Sequence, residues 1–566
     1  MKIDQELYAQ ATIACRNHMA KALAPGSRLA ELCKAARAVP PKEWKIDHPA
    51  VMRAGREYMK EMAKAGVTSS LGFNFYDLRG PAYFIFPLQT PFIQMIGRQG
   101  KVNAGVGTTA HWKATTNPNS SYIYGGVKEG QRNATATPNE VDYYATYKEL
   151  GMEGGETFTA QWAGEGYTDN LADEHFRNLA RLRLQEEMMT LWGNSGPTVA
   201  GVLPASLPTG NLGIGLGQPV TPTVAASGTT GSLVTGTNVT VAVVAISPYG
   251  LNPGGQAGYC QPPSVAAGLT SYTTRTNADG TQINVNGGIS QLSNVSASTT
   301  QTNSSGSVYA STTAVKGATG YAWFWNVNAN VATNTLILGA ITYWPNITIT
   351  TTPPAGGFLA NNISQTVDYS YNTTDFDGLG TYTFRNGNWT DMGGGSFTPQ
   401  GNGLVKEIET DLSTLYSNWQ AQPDAIWCSI DVRESLDQAM IYSSTGTNSF
   451  IFTSSGDGDR KLTGGFVYTG YKSKYSINPE GAAVIPIRLH PMFPPGTMLY
   501  DINTNPYPHS RVPAVRQFLL QRDYYAVEWP VVTRQWTFGT YVHEVLAHYM
   551  PWITAIRSGI GPFVHP

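Results

Sequence analysis

Regularly spaced apolar residues predict a long helix over residues 167–192, YTDNLADEHFRNLARLRLQEEMMTLW. Its apolar stripe, at spacings of three and four residues, consists of Phe176, Ala180, Leu184, Met188 and Leu191. Thr168, Asp169 or Asn170 can cap the start of this helix, because a side-chain oxygen there accepts a backbone N–H. Gly193 is expected to end it, since glycine is favoured just after helix C-termini.

A second helical pattern begins at Leu404. In LVKEIETDLSTLYSNW, the apolar residues at helical spacing are Leu404, Ile408, Leu412, Leu415 and Trp419. The following PDAIWCSIDVRESLDQAM, residues 423–440, predicts a buried strand, a loop and another helix. Strands and proline-rich turns are expected from there to residue 566.

Alternating apolar residues predict strands in the middle of the chain. The clearest alternating sets are Val239, Val241 and Val243 in NVTVAVVAISPYG and Tyr321, Trp323 and Trp325 in AVKGATGYAWFWNVN. AITYWPNITITTTPP supplies another strand. Closer to the N-terminus, ETFTAQWAGEG predicts a half-buried strand with Phe158, Ala160 and Trp162 on one face.

The N-terminal part mixes three patterns. HPAVMRAGREYMKEMAKAG has apolar residues at helix-like intervals. LRGPAYFIFPLQTPFIQMIGR, residues 78–98, is rich in prolines and predicts an extended arm. Residues 101–150 alternate short β-prone pieces with Gly, Asn and Pro turns and hold too little apolar content for a core, which predicts a long polar hairpin.

Charge divides the chain into three parts. Residues 1–192 carry about 42 charged side chains, residues 193–403 about 8 and residues 404–566 about 26. We therefore expect the middle part to be a separate all-β unit, inserted at a surface loop of a mixed α and β body. Low-complexity disorder is the alternative for SNVSASTTQTNSSGSVYASTT, although the aromatic residues of this part require a core.

Composition limits the function. A net charge of −2 and a pI of about 6.5 argue against a sequence-reading nucleic-acid binder but allow a neutral surface that faces nucleic acid. The cysteines, expected to be isolated reduced thiols without metal-ligand spacing, are Cys15, Cys33, Cys260 and Cys428. We expect neither a secretory signal nor a membrane span, because no long apolar run is present.

Three short motifs resemble catalytic or ligand-binding ones. HEVLAH places His543 and His548 five residues apart, whereas a zinc protease helix needs a spacing of four. GIGLG, Gly213–Gly217, predicts a linker rather than a phosphate loop, and GDGD, Gly456–Asp459, predicts a polar turn. We therefore expect no enzymatic activity, no metal site and no cofactor.

The order of these parts resembles the major capsid proteins of tailed bacteriophages, which have the Hong Kong 97-like fold. KELGMEGGETFTAQWAGEGYTDNLADEHFRNLARLRLQEEMMTLWGNSG is similar to the family's return from an extended hairpin, the E-loop, and its spine helix. LVKEIETDLSTLYSNWQAQPDAIWCSIDVRESL resembles the axial-domain pattern of helix, strand and helix. AISPYGLNPG and VKGATGYAWFW resemble an immunoglobulin- or fibronectin type III-like module, which family members sometimes carry.

The resemblance implies an α+β fold in five parts. These are an N-terminal helical segment and extended arm at 1–100, an E-loop-like hairpin at 101–147, a peripheral-domain strand and spine helix at 148–196, an inserted immunoglobulin-like β-sandwich at 197–375, and the axial domain with returning peripheral strands at 376–566. The inserted block exceeds one sandwich of about 100 residues. It is therefore either one module with long loops or two small modules, and we expect it to project outward.

The implied function is a major capsid protein. Its copies would assemble into pentamers and hexamers of an icosahedral head, in the bacterial cytoplasm, and enclose double-stranded DNA without sequence-specific binding and without a membrane. Portal, scaffolding or decoration proteins are the further expected partners. The alternative functions are a surface adhesin or tail fibre that binds through the immunoglobulin-like module, and a hydrolase built on HEVLAH.

In the resemblance, the hairpin lies over an adjacent subunit. Its charged residues, and our candidates for ion pairs between subunits, are Lys113, Lys128, Glu129 and Arg132. Solvated loop charges are the alternative interpretation of these four. One family member joins its subunits through a hairpin lysine and an asparagine, but the lysines here do not establish such a crosslink.

Overall fold

Two mixed layers of helix and sheet and an all-β part make up the described chain. The computed structural model describes residues 89–564 except for 101–106, 118–123, 165–168, 197–214, 229, 252–259, 261, 303–305, 329–331, 386–387, 402, 445–469, 476–483 and 508–511. The expected helix over residues 48–66 and most of the expected arm lie outside the described residues. The described residues all belong to one unit, Pro87–Pro566.

The described helices are, in chain order, α1 Pro91–Met95, α2 Phe158–Gly164, α3 Asn170–Trp192, α4 Leu379–Arg385, α5 Lys406–Trp419 and α6 Ile430–Ser444. Single turns of 3-10 helix lie at Thr333–Thr335, Ala360–Asn362 and Pro551–Ile553. The strands before the middle part are β1 Gly97–Gln99, β2 Thr109–Asn117, β3 Asn139–Thr146 and β4 Lys148–Thr157.

We use the name middle part from here on for residues 197–375, whose strands are β5 Thr223–Ser227, β6 Asn238–Ile246, β7 Tyr272–Thr276, β8 Gln282–Asn286, β9 Thr299–Thr300, β10 Ser307–Ser311, β11 Gly320–Asn326, β12 Ile337–Thr342 and β13 Asn346–Ile349. Those that follow are β14 Trp389–Asp391, β15 Pro399–Gly401, β16 Leu404–Val405, β17 Ala425–Cys428, β18 Gly470–Lys472, β19 Val484–Leu489, β20 Met498–Asp501, β21 Arg516–Glu528, β22 Gln535–His548 and β23 Ala555–Ser558.

The first layer is a four-stranded sheet in the order β1, β21, β22, β4. Strands β21 and β22 form a long antiparallel hairpin, β4 pairs antiparallel with β22, and β1 pairs parallel with β21. Helix α3 covers one face of this sheet. Its buried Leu182 and Met188 share a core with Val542 and Leu546 of β22, so the longest helix and the longest strands bury each other.

Helix α3 begins and ends where the sequence predicts. The Asp169 carboxylate caps it by accepting the Ala172 backbone N–H at 3.2 Å. Gly193 ends it with φ −53°, outside the left-handed region, so the expected reason for this glycine is wrong. A Cβ there would lie 2.2 Å from the Phe376 carbonyl oxygen, so close backbone approach requires glycine. The stripe is confirmed for Ala180, Met188 and Leu191 and half-buried Leu184, whereas Phe176 is 55% exposed.

Two local predictions before α3 are wrong. The strand expected at 156–166 continues only to Thr157, and Phe158–Gly164 form helix α2, because the Thr157 hydroxyl oxygen accepts the Ala160 N–H at 3.2 Å. The part of the arm that is described is not extended throughout. Pro91 occupies the first turn of helix α1, where the missing N–H of proline costs no hydrogen bond.

The second layer is a six-stranded sheet in the order β14, β23, β20, β17, β19, β18. Helices α5 and α6 cover one face, where Ile426 and Cys428 of β17 pack against them. The other two residues of β17, Ala425 and Trp427, point to the opposite face and belong to the core shared with the first layer. The strand and the two helices predicted over 404–440 are confirmed. Of the predicted stripe of α5, Ile408, Leu412 and Leu415 are buried, Leu404 belongs to β16, and Trp419 is 37% exposed.

The middle part contains two facing sheets, one in the order β13, β10, β5 and one in the order β12, β11, β6, β9. The alternation is confirmed, since one buried cluster between them contains Val239, Val241, Val243, Tyr321, Trp323 and Trp325. The opposite face of β6 and β11, with Val244 and Phe324, belongs to the core that continues into the body. An immunoglobulin-like topology stays a prediction.

A row of serines runs along the edge of β6 opposite β11, on the side where β9 also pairs with β6. The hydroxyls of Ser290, Ser293 and Ser296 each accept a β6 backbone N–H at 2.9 Å, and their own N–H groups donate to the β6 carbonyls. Because an extended chain of the polyproline II type has three residues per turn, a serine at every third position meets β6 once in each turn. Ser293 and Ser296 open the segment for which disorder was the alternative, and both are buried.

The chain leaves and re-enters the body at one place. The Asn372 N–H donates to the Asn194 carbonyl at 3.0 Å, and the Gly378 N–H donates to the Gly193 carbonyl at 2.8 Å. Side chains also dock the middle part on the second layer, as the Cys260 thiol donates to the Met492 carbonyl at 3.2 Å. An insertion between such closely spaced ends leaves the body continuous.

Candidate assembly surfaces and a buried charge cluster

Strands β2 and β3 form a hairpin with a fixed root and an exposed far end. At the root, Ala110, Tyr143 and Ala145 are buried, and the Trp112 ring meets the Tyr549 ring edge-on at 5.6 Å. Residues 124–138 have no regular structure, and every one of them is exposed. Irregular segments of this length in compact domains are usually either functional loops or linkers.

Two apolar side chains in this segment are largely exposed to solvent. Tyr124 is 66% exposed and Val127 is 48% exposed. The segment is nevertheless tied back on itself, because the Asn133 amide donates to the Tyr124 carbonyl at 2.8 Å. We call residues 124–138 the hairpin loop.

The four predicted contact residues all lie on this hairpin and are exposed. Lys113 is on β2, directly opposite Asp142 of β3, while Lys128, Glu129 and Arg132 are in the hairpin loop. No ion pair joins any of these four to another residue in the described part of the chain. Their role between subunits stays a prediction.

A buried charge cluster joins β1 to helix α3 and strand β22. Arg98 of β1 lies with one guanidinium nitrogen 2.5 Å from Glu186 of α3 and the other 2.7 Å from Glu544 of β22. Both carboxylates are fully buried, and the Tyr524 hydroxyl donates to Glu186. One arginine therefore pairs with two buried acids from two different elements, with Asp523 at the exposed edge 3.3 Å away.

The protonation of this cluster follows from its charge balance. Burial and the neighbouring Glu186 charge raise the pKa of Glu544 well above its ordinary value, against the opposing effect of Arg98. Burial alone lowers the pKa of Arg98, but the charges of Glu544 and Glu186 together raise it by more, so the pKa lies above its ordinary value. The guanidinium thus stays charged, and Glu544 holds a proton more readily than a carboxyl group at the surface does.

The adjacent Glu187 holds α1 in place. Its two carboxylate oxygens accept the Phe92 and Ile93 backbone N–H groups, each at 2.9 Å, and His490 Nε2 lies 2.9 Å from the same group. Glu187 and His490 are both buried. A carboxylate at the first N–H groups of a helix is favourable, so Glu187 joins α1, α3 and the second layer.

Sequence reasoning missed this cluster. Glu186 and Glu187 stand in the buried half of α3, and Glu544 stands in phase with the buried Val542 and Leu546 of β22. Acids in phase with buried positions are the signal that could have found them.

Another buried acid lies where the middle part meets the body. Burial raises the pKa of Asp375 to about 7, although the charge of Lys148 opposes this shift. The buried Tyr249 hydroxyl lies beside this carboxyl group and opposes the shift more than the Lys148 charge does. Burial also raises the pKa of Tyr249.

Replacing Asp375 with Asn is expected to stabilise the protein at alkaline pH. The folded pKa is about 7 and the ordinary value is 3.8, so the ionised carboxylate destabilises the fold increasingly between these two pH values. At about 1.4 kcal/mol per pKa unit, the gain is at most roughly 4 kcal/mol at pH 8 and close to zero at pH 4. Thermal unfolding at both pH values measures it. Asp142→Asn, at a carboxylate 60% exposed, is the control and should change neither midpoint.

The HEVLAH histidines do not form a zinc site. His543 and His548 lie on opposite faces of β22, where His543 Nε2 is 2.7 Å from the Tyr525 hydroxyl and His548 Nε2 is 3.1 Å from the Thr554 hydroxyl. In the part of the chain that the structure describes, no group of three His, Cys, Asp or Glu side chains could hold a metal ion. Gly456–Asp459 lies outside the described residues, as do Gly213 and Ile214 of GIGLG.

Of the described helices, none has the length and apolar content needed to span a membrane.

No protein-family model matches this sequence, and no curated protein matches it. Three solved structures show a distant likeness. An encapsulin complex from Synechococcus elongatus is 8% identical at a TM-score of 0.22, over 34% of this chain and 59% of that one. The capsid of cyanophage A-1(L) is 10% identical at 0.34, over 85% and 97%, and the capsid of a native GTA particle is 8% identical at 0.33, over 87% and 97%. At these identities and scores, the likenesses establish neither family nor function.

Proposed function

We propose that this protein is a major capsid protein whose copies build a closed shell around double-stranded DNA. The observation that carries the proposal is the hairpin loop, residues 124–138, which is exposed throughout on a firmly anchored hairpin. Burying exposed apolar residues such as Tyr124 and Val127 against another molecule is favourable. The resemblance of residues 148–196 to the spine region of tailed-phage capsid proteins identifies that molecule as a neighbouring copy.

A projecting arm that meets a different surface on the next copy makes a head-to-tail contact. Such contacts produce rings when the rotation closes, and rings of five and six copies build an icosahedral shell. The role is structural rather than catalytic, and the place of the protein is the virion, assembled in the host cytoplasm with portal, scaffolding or decoration proteins. The Hong Kong 97-like fold supplies the arm, hairpin, peripheral and axial parts.

The charge of the chain suits this role. A net charge of −2 lets an inner wall face packaged DNA without binding it tightly. In this proposal the immunoglobulin-like insertion, which meets the body at Asn194 and Asn372, projects from the outer surface. Lys113, Lys128, Glu129 and Arg132 supply the charged contacts of the hairpin.

Sedimentation followed by electron microscopy of the protein expressed alone tests the proposal. We expect closed shells, or rings of five and six copies, as the main species. A monomer at every concentration and salt would contradict it. If that monomer bound glycans, the adhesin alternative would be favoured.

A further inference from the structure

Six apolar side chains are grouped at the end of the first sheet that is remote from Arg98. Helix α2 follows directly on β4, and residues 529–534 connect β21 to β22 at the same end. We call these side chains the sheet-end patch: Phe158, Trp162, Trp529, Val531, Val532 and Trp536. Neither the buried charge cluster nor the hairpin loop includes any of them.

Ring contacts and hydrogen bonds hold the elements that carry the patch in position. The Phe158 ring lies 5.4 Å from the Trp536 ring and 6.2 Å from the Trp162 ring. The Trp536 indole N–H donates to Gln161 at 3.1 Å, and the Phe158 N–H donates to the Arg534 carbonyl at 3.2 Å. Helix α2 and the β21–β22 connection are therefore fixed against each other, with their aromatic side chains held in place.

The side chains of the patch remain in contact with solvent. Val532 is 92% exposed, Trp162 58%, Val531 47%, Trp529 44% and Trp536 40%. With about 150–250 Å² of surface per tryptophan, the patch exposes roughly 500 Å² of apolar surface. Two such patches face to face would bury roughly 1,000 Å², the lower limit of a specific interface.

The charges beside the patch indicate its occupant. Exposed Glu528 and Arg534 stand at the two ends of the loop that carries Trp529, Val531 and Val532. If the same surface of two copies meets about a twofold axis, Glu528 of each can pair with Arg534 of the other, because a twofold contact is reciprocal. A nucleic acid would meet Arg534 but also Glu528 and Glu156, which lies opposite Trp536, and this is unfavourable for binding phosphates.

We propose that the sheet-end patch is a contact between two copies of this chain, formed by the same surface on each. It rests on the proposed function in one respect: in a shell, a head-to-tail hairpin contact closes each ring, so a second contact must join the rings. The sheet-end patch supplies that second contact.

The test separates this contact from the hairpin contact. In a background where a short Gly-Ser turn replaces residues 124–138, sedimentation over a wide concentration range should show a reversible dimer. Val532→Glu in that background should weaken the dimer roughly tenfold or more, since two carboxylates would enter an apolar contact. Val234→Glu, at a side chain 64% exposed in the middle part, is the matched control and should leave the dimer unchanged.

Trp162→Ser provides a second variant at an exposed position, and circular dichroism confirms that each variant is folded. The proposal is overturned if the background protein is a monomer throughout, or if Val532→Glu dimerises as Val234→Glu does. A monomer that binds neutral lipid vesicles through the patch would also overturn it. Failure of the intact chain to form shells, with the Val532-dependent dimer intact, removes the proposed function and leaves this contact standing.

Discussion

Replacing the hairpin loop, residues 124–138, with a short Gly-Ser turn is expected to abolish rings and shells while leaving the protein folded. Every residue of the loop is exposed, so its removal uncovers no core. Shortening an irregular loop also changes the closing entropy by about 1 kcal/mol or less. The loss therefore concerns assembly, and the remaining species should contain one or two copies by sedimentation.

The matched control shortens a different exposed turn. Residues Asn277–Thr281 connect β7 and β8, a hairpin of the middle part that is exposed on both strands. Replacing this turn should leave shells intact, because the proposed contacts do not include it. Shells of normal size and yield without the hairpin loop would show that the loop is not what joins the subunits.

Arg98→Met is expected to destabilise the fold more than any other single substitution considered. It leaves the fully buried Glu186 and Glu544 without their shared cation. Breaking a buried ion pair by removing one partner costs about 3–5 kcal/mol. The free energy of unfolding in urea measures this loss, and Arg181→Met is the control, since its ion pair with Glu174 is half exposed and worth less than about 1 kcal/mol.

The pH dependence identifies the cause of the Arg98→Met effect. The pKa of Glu544 is already raised in the folded protein, so its ionised form is the one that destabilises the fold. The loss should therefore be smaller at pH 5 than at pH 8, because protonation removes one buried charge. Adding Glu544→Gln should restore part of the stability at pH 8. An equal loss at both pH values, without rescue, would mean that Arg98 acts through packing alone.

The sequence predicts the helices and strands in which apolar residues repeat at a regular spacing along one segment. Helices α3, α5 and α6 and strands β6, β11 and β17 follow from apolar spacing because each buries one continuous face or stripe. Helix α2 does not, because Phe158 and Trp162 fit both a strand and a helix. The Thr157 cap, rather than the apolar pattern, decides between them.

Of the candidate functional residues, the sequence predicted only those on the exposed, polar hairpin. Lys113, Lys128, Glu129 and Arg132 lie on the hairpin that the sequence predicts, and all are exposed. The buried charge cluster depends on pairings across the fold, with Arg98 bonded to Glu186 88 residues away and to Glu544 446 residues away. No periodicity encodes partners at such separations. The aromatic side chains of the sheet-end patch became visible as a surface only once α2 and the β21–β22 connection were placed together.

A cryo-electron microscopy reconstruction of particles formed by the intact chain tests the central claim most directly. We predict a closed shell of five- and six-copy rings in which residues 124–138 of each copy lie on the neighbouring copy. A reconstruction with that segment in solvent, or a protein that forms no particles under any condition of salt and concentration, would contradict the account.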